Sequence, residues 1–187
     1  MNCVELIGQL IHRDALVPVE PYNSRLKVVL REPESGSQAQ IYNLPPDAIV
    51  FRLDERFEVE RIFKGNSGEC KHGDFILIAT LHGTLFVIHL EMKRTKGSKP
   101  EIKQQLLGSW CFTHYMQEIG RRFWGHNLFL ETAEHRYISL RGTDGKKRRT
   151  KLDSDTALHD SPDQPLTISS PNYIEFGRLC GRKWNNA

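Results

Sequence analysis

CKHGDFILIATLHGTLFVIHLEMKRTKGSKPEIKQQLLGSWCFTHY, residues 70–115, is the stretch whose reading decides the fold. FILIATL (75–81) is a continuous apolar run of strand length, as expected of a strand covered on both faces. His82-Gly83-Thr84 supplies a tight turn and LFVIHLEMK (85–93) follows, which predicts an antiparallel hairpin. RTKGSKP (94–100) is a basic loop. Pro100 suits the first position of a helix, Ser98 or Lys99 sits near its cap, and Glu101 lies favourably in the first turn. Ile102, Leu106, Trp110 and Thr113 then recur at helical spacing. They predict an amphipathic helix to about Ile119, stopped by Gly120.

Side chains alternate faces along a strand, so Leu85, Val87, His89, Glu91 and Lys93 share one face. Phe86, Ile88, Leu90 and Met92 share the other, which is wholly apolar and must be core. Glu91 and Lys93 have Cβ atoms roughly 6–7 Å apart at a rise of about 3.3 Å per residue. Counting back from a turn at Gly83 sets Asp74 beside Glu91 or Lys93. Two carboxylates at one sheet end make a hard oxygen site, the preference of Mg²⁺ or Mn²⁺. A cation there would activate water and position a phosphate, with Lys93 adding electrostatic stabilisation. The competing reading of Glu91 and Lys93 is a solvent-exposed salt bridge. His89 reads as a packed residue before a catalyst, and Cys70 as a small buried one. Asp54, Glu58 and Glu60 precede the stretch as further acids, by default ordinary surface charge.

The chain has 187 residues, 39% of them hydrophobic and 26% charged, enough for one domain with a real core. No apolar run approaches the roughly eighteen residues needed to cross a bilayer. The N-terminal MNCVELIGQLIHRD lacks a basic region followed by a long apolar one, so no secretion signal is expected and the cytoplasm is the default. Cys3, Cys70, Cys111 and Cys180 are too widely spaced for a zinc motif or a disulfide scaffold.

Outward from the central stretch, CVELIGQLI near the N-terminus is ambiguous between helix and strand. LKVVLRE (26–32) and AQIYNL (39–44) read as hairpin partners about the turn SGSQ. AIVFRLD (48–54) reads as a strand and RFEVERIF (56–63) as an imperfect one. Residues 127–142 hold one or two strands, and 153–165, polar with two prolines, is expected to be a flexible loop. A net charge of +3 and a pI near 8.7 are mild, so the distribution of charge matters more than its total. Arg94, Lys96, Lys99 and Lys103 follow the Glu-x-Lys triplet directly. Lys146, Lys147, Arg148, Arg149 and Lys151 form a second cluster. Both are candidate contacts to a phosphate backbone, which confer affinity without reading sequence.

Asp74, sixteen intervening residues, Glu91-Met92-Lys93 and then a helix carrying Gln104 and Gln105 resemble the PD-(D/E)xK nuclease superfamily. The resemblance spans about residues 48–119. Met92 stands where Leu or Ile is commoner, and Gly73 precedes Asp74 in place of Pro. The resemblance implies a restriction-endonuclease-like α/β (α+β) fold with a mixed central sheet flanked by helices, to which the residue pattern adds extra N-terminal strands within a single domain. It implies catalytic roles for Asp74, Glu91, Lys93 and Gln105, with Asp74 and Glu91 on Mg²⁺ or Mn²⁺. The implied activity is phosphodiester hydrolysis, endo- or exonucleolytic, on DNA before RNA, in prokaryotic defence or mobile-element biology. The implied assembly is a homo-oligomer or a larger complex. The alternatives are a non-catalytic nucleic-acid- or protein-binding subunit of the same fold, and a toxin- or immunity-type interaction protein.

Overall fold

The structure, a computed structural model, describes residues 3–33, 35–53, 59–95, 97–127, 129–144, 149–152 and 158–181. The central hairpin is formed by β5 (Phe75–Leu81) and β6 (Thr84–Lys93), paired antiparallel from Leu81↔Thr84 to Phe75↔Leu90. His82 and Gly83 make its two-residue turn, with φ of +49° and +79°. Two positive φ values match the twist of the flanking strands, which is why Gly serves at the tip. β4 (Ile49–Arg52) joins the outer edge of β5.

After β6 the chain crosses over through α2 (Lys99–Phe123) and returns as β7 (Glu134–Arg141), parallel to β6. β9 (Leu166–Ser169) lies parallel to β7, and β8 (Lys151–Leu152) closes the edge antiparallel to β9. The result is a mixed six-stranded sheet in the order β4-β5-β6-β7-β9-β8. One face is covered by α2 and by α1 (Cys3–Leu10), which resolves the ambiguous N-terminal segment as helix. Val4, Leu6 and Ile7 of α1 pack there with Phe51, Ile76, Ile78, Val87 and Met116.

The opposite face is covered by a second sheet, not by helices as the sequence reading implied. β1 (Val19–Tyr22), β2 (Arg25–Glu32) and β3 (Ser37–Leu44) are antiparallel, and β10 (Ile174–Glu175) adds parallel to β3 before the short α3 (Phe176–Leu179). Val28, Leu30 and Ile41 of this sheet meet Phe75, Leu77, Phe86, Ile88 and Leu90 of the larger one. Phe75–Ala79 of β5 are all apolar because both faces of the strand are buried there.

Three expectations need correction. Val59–Arg61 form a 3₁₀ turn rather than a strand, and Ile62 and Phe63 beyond it are exposed. Gly120 lies inside α2, not at its end: a Cβ there would sit 2.3 Å from the buried Phe129 ring, so this glycine serves close packing. The buried stripe of α2 runs through Ile102, Leu106, Ser109, Thr113 and Met116, leaving Trp110 partly exposed. Helical spacing from Ile102 admits Ser109 as well as Trp110, and the smaller residue permits the closer approach to the sheet. Within 153–165, residues 153–157 lie outside the described ones, but His159 is buried and its carbonyl accepts from Tyr137 N–H. No helix among the described residues is long and apolar enough to cross a membrane.

Candidate functional site

The register of the hairpin, continued one step past Phe75↔Leu90, sets Asp74 against Glu91. Asp74 N–H donates to the Leu90 carbonyl, and the Asp74 carbonyl accepts from Leu53 N–H. Beyond the end of β5, Met92 N–H has no strand partner on that side, and Asp74 Oδ2 takes its place at 2.6 Å. Asp74 therefore caps the ladder as well as presenting charge.

Two glycines make this possible. The segment leading to Asp74 passes between α2 and β6, where a Cβ on Gly108 would lie 1.7 Å from the Lys71 carbonyl oxygen. A Cβ on Gly73 would lie 2.7 Å from Ser109 Oγ and 3.0 Å from the Leu90 carbonyl oxygen. Gly73 N–H donates to Ser109 Oγ at 2.7 Å, so helix and segment are also tied.

Glu91 is fully buried, under α2. Its Oε1 faces Lys93 Nζ at 2.9 Å, and its Oε2 finds no hydrogen-bond donor among the described residues. Burial first, and the Asp74 carboxylate second, push the Glu91 acid well above the usual carboxylate range, against the opposing pull of Lys93. Lys93 Nζ also meets Glu101 Oε1 of α2 at 3.3 Å. Burial disfavours the ammonium, but Glu91 and Glu101 outweigh it and hold the Lys93 pKa above its ordinary value. The exposed salt bridge is thus excluded: one partner is sealed and the other is shared.

Gln105 lies one helical turn after Glu101 and one before Ser109, which places it over the Glu91–Lys93 end of β6. Its Oε1 is buried without a partner. Three groups that the sequence reading did not single out join it. Ser139, across the β6–β7 ladder from Glu91, has a buried unpartnered Oγ. Arg141, across from Lys93, has a buried unpartnered Nε. Glu101 had been read only as a first-turn acid. Ser139 and Arg141 reach the site through a parallel pairing some fifty residues away in sequence, which no local pattern signals.

Of the basic candidates, Arg94, Lys99 and Lys103 are exposed near the start of α2, where Lys103 pairs with Asp163. Lys99 and Arg141 line a cleft of about 250 Å³ with Ile102, Asp163 and Thr167. Arg149 lies apart, on the far edge of the sheet beside β8. Lys96, Lys146, Lys147 and Arg148 fall outside the described residues, as do the candidate acids Asp54 and Glu58. Among the described residues, no three or more His, Cys, Asp and Glu side chains gather as a metal cluster; the carboxylates expected to hold a cation are Asp74 and Glu91, with Glu101 turned to Lys93. That pair fits Mg²⁺ or Mn²⁺, which commonly take one or two carboxylates and fill their other positions with water and substrate phosphate. The orphaned Glu91 Oε2, Gln105 Oε1 and Ser139 Oγ are acceptors that a hydrated cation would satisfy.

His89, on the same face, is a packed residue. Its ring stacks on Tyr137 at 4.8 Å and its Nε2 lies 2.9 Å from His135 Nδ1. Burial, then the neighbouring His135 and His114, hold His89 well below its ordinary range. Burial, then His114 and Arg136, bring His135 to about 4. Both rings are neutral when folded and protonate on unfolding below about pH 6.5, so stability present above that pH is lost as pH falls toward 4. His135 alone contributes roughly 2–3 kcal/mol to this loss. The expected result is a urea midpoint that falls between pH 6.5 and 4, with a shallower slope in His135→Asn. An unchanged slope in the variant would contradict this account.

Comparison of the chain with protein-family models, curated proteins and solved structures finds no match. The functional reading therefore rests on the residues and their geometry.

Proposed function

We propose that the chain is a Mg²⁺- or Mn²⁺-dependent nuclease of restriction-endonuclease-like architecture, hydrolysing phosphodiester bonds in DNA in preference to RNA. The observation that carries this reading is the pairing of Asp74 with a buried Glu91 whose Oε2 has no partner, flanked by Lys93. A buried carboxylate oxygen without a donor destabilises the fold, and a cation ligand is a role that compensates for it. The divalent cation, when bound, supplies Lewis-acid stabilisation of the phosphate and a more acidic water. Asp74 and Glu91 hold it. Lys93 is kept charged by Glu91 and Glu101, and it aims a fixed ammonium at the phosphate oxygens. Gln105 orients groups from the helix above. Lys99 and Arg141, at the adjoining cleft, meet the nucleic-acid backbone.

The engagement of Lys93 by two carboxylates also favours a second reading, a catalytically silent nucleic-acid-binding subunit of the same fold. Plasmid nicking separates the two. Cleavage is expected with Mn²⁺ or Mg²⁺ and none with chelator. Lys93→Ala is expected to lower the rate by about 10²–10³-fold while calorimetric Mn²⁺ binding persists. Unchanged cleavage in Lys93→Ala would remove the assignment. DNA binding without cleavage or Mn²⁺ binding would establish the silent subunit.

A further inference from the structure

A second feature lies at the opposite edge of the six-stranded sheet. An open cleft of about 790 Å³ is lined by Arg149, Lys151, Arg178, Tyr173, Glu175 and Ile168. None of the three cations forms an ion pair with a described residue. Glu175, the acid of this lining, is taken up by Asn43 Nδ2 and by the Tyr173 hydroxyl. Among the described residues the lining therefore carries three cations against one carboxylate, a net positive charge.

Tyr173 is half exposed. One ring face stacks on Tyr42, with centroids 4.4 Å apart and planes at 24°. Tyr22 meets Tyr42 edge-on at 5.0 Å, and Lys27 lies over Tyr22. The stack is held from below by β3 and its partner β10, and Tyr173 N–H donates to Thr150 Oγ1. That bond ties the aromatic platform to the segment carrying Arg149 and Lys151. The ring is thus held in place, half exposed, in the same lining as the three cations. A flat π-face with fixed cations beside it is complementary to an unstacked nucleobase and its flanking phosphates.

Lys151 of this cleft shares a register row with Lys93 of the carboxylate site. Lys93 pairs with Arg141, Arg141 with Ser169, and Ser169 with Lys151, one row across four strands. At about 4.8 Å per strand the row spans roughly 14–15 Å.

We infer that this cleft binds single-stranded nucleic acid, stacking a base on Tyr173 and holding phosphates with Arg149, Lys151 and Arg178. The inference deepens the nuclease reading, on which it rests for the choice of ligand, by naming the strandedness of the substrate. Bases in a duplex have both faces occupied, so the open face of Tyr173 selects the single strand.

The test is anisotropy with a labelled oligothymidylate of about twenty nucleotides, and the matching duplex, in chelator so that no cleavage occurs. The single strand is expected to bind at least about tenfold tighter than the duplex. Tyr173→Ala and Tyr173→Leu are each expected to lose about tenfold in affinity, and Tyr173→Phe less than about twofold. Arg178→Ala is expected to weaken binding and to flatten its salt dependence. Unchanged affinity in both Tyr173→Ala and Tyr173→Leu would overturn the inference, as would equal affinity for duplex. Competition by anionic phospholipid vesicles as effective as unlabelled oligonucleotide would overturn it too. Nicking that needs Glu91 alongside unaltered binding in the Tyr173 variants would remove this inference and leave the nuclease reading standing. Strand-selective binding lost in Tyr173→Ala, without any metal-dependent cleavage, would remove the nuclease reading alone.

Discussion

Glu91→Gln is expected to make the protein more stable at pH 8 while abolishing its response to metal. In the fold, burial and Asp74 raise the Glu91 pKa above its unfolded value. A group raised in this way contributes stability fully present below about pH 4.5 and lost as pH rises through its folded pKa. Above that range the unfolded state has shed a proton that the folded state resists losing, so Glu91 works against folding at pH 8. Glutamine keeps the shape and never ionises. Lys93 is not stranded by the change, because Glu101 still holds it and its side chain reaches solvent. The gain is expected to be about 1–2 kcal/mol, a rise in Tm of about 2–8 °C at pH 8 that vanishes toward pH 4. Wild-type protein should gain further Tm with Mn²⁺ by mass action, and the variant should not. Cleavage should fall by at least about a hundredfold in the variant. Thermal melts at several pH values, with and without Mn²⁺, check each part. A variant that melts lower than wild type at pH 8, or still gains Tm from Mn²⁺, would show that Glu91 is a structural ion-pair partner instead. Such a trade of stability for a ligand position is common where a site demands a buried charge.

The second large effect concerns Gly108→Ala, where two principles oppose each other. Alanine is favoured over glycine in a helix interior by about 0.8–1.0 kcal/mol, so propensity alone predicts stabilisation. Packing predicts the reverse, because the new Cβ would stand 1.7 Å from the Lys71 carbonyl oxygen and 2.8 Å from its carbonyl carbon. The obstacle is backbone rather than the end of a flexible side chain, so α2 or the segment before Asp74 must move. Overpacking of this kind costs about 1–3 kcal/mol and sometimes more, and a backbone clash this close belongs at the upper end. The expected net loss is about 2 kcal/mol, a fall in Tm of about 4–8 °C. The displaced segment leads into Gly73 and Asp74, so Mn²⁺ binding should weaken with it. A higher Tm in Gly108→Ala would mean that α2 does not approach the Lys71 backbone this closely.

These two residues show how differently parts of the site are legible in the chain. Glu91 and Lys93 are visible as an alternation on a strand, and the turn at Gly83 carries the count back to Asp74. Hairpin register is a local property, because a two-residue turn leaves little freedom in which residues face each other. Gly108 carries no such signal: inside IKQQLLGSW it reads as a neutral helical residue, and only the packed segment beside it explains why a side chain is excluded.

The sequence by itself determined the central hairpin, its register to within a choice of Glu91 or Lys93 opposite Asp74, the face shared by His89, Glu91 and Lys93, the helix after the basic loop, and the β2–β3 hairpin. All of these follow from periodicity and turn chemistry within a few tens of residues. Tertiary structure alone decided that a second sheet rather than helices covers the far face. It also decided that Ser139 and Arg141 stand across from Glu91 and Lys93, and that Tyr173 and Arg178 meet Arg149 and Lys151 at the sheet edge. Those pairings are parallel or join distant segments. Their register is set by which apolar faces can be buried together, a property of the whole core that no single stretch encodes.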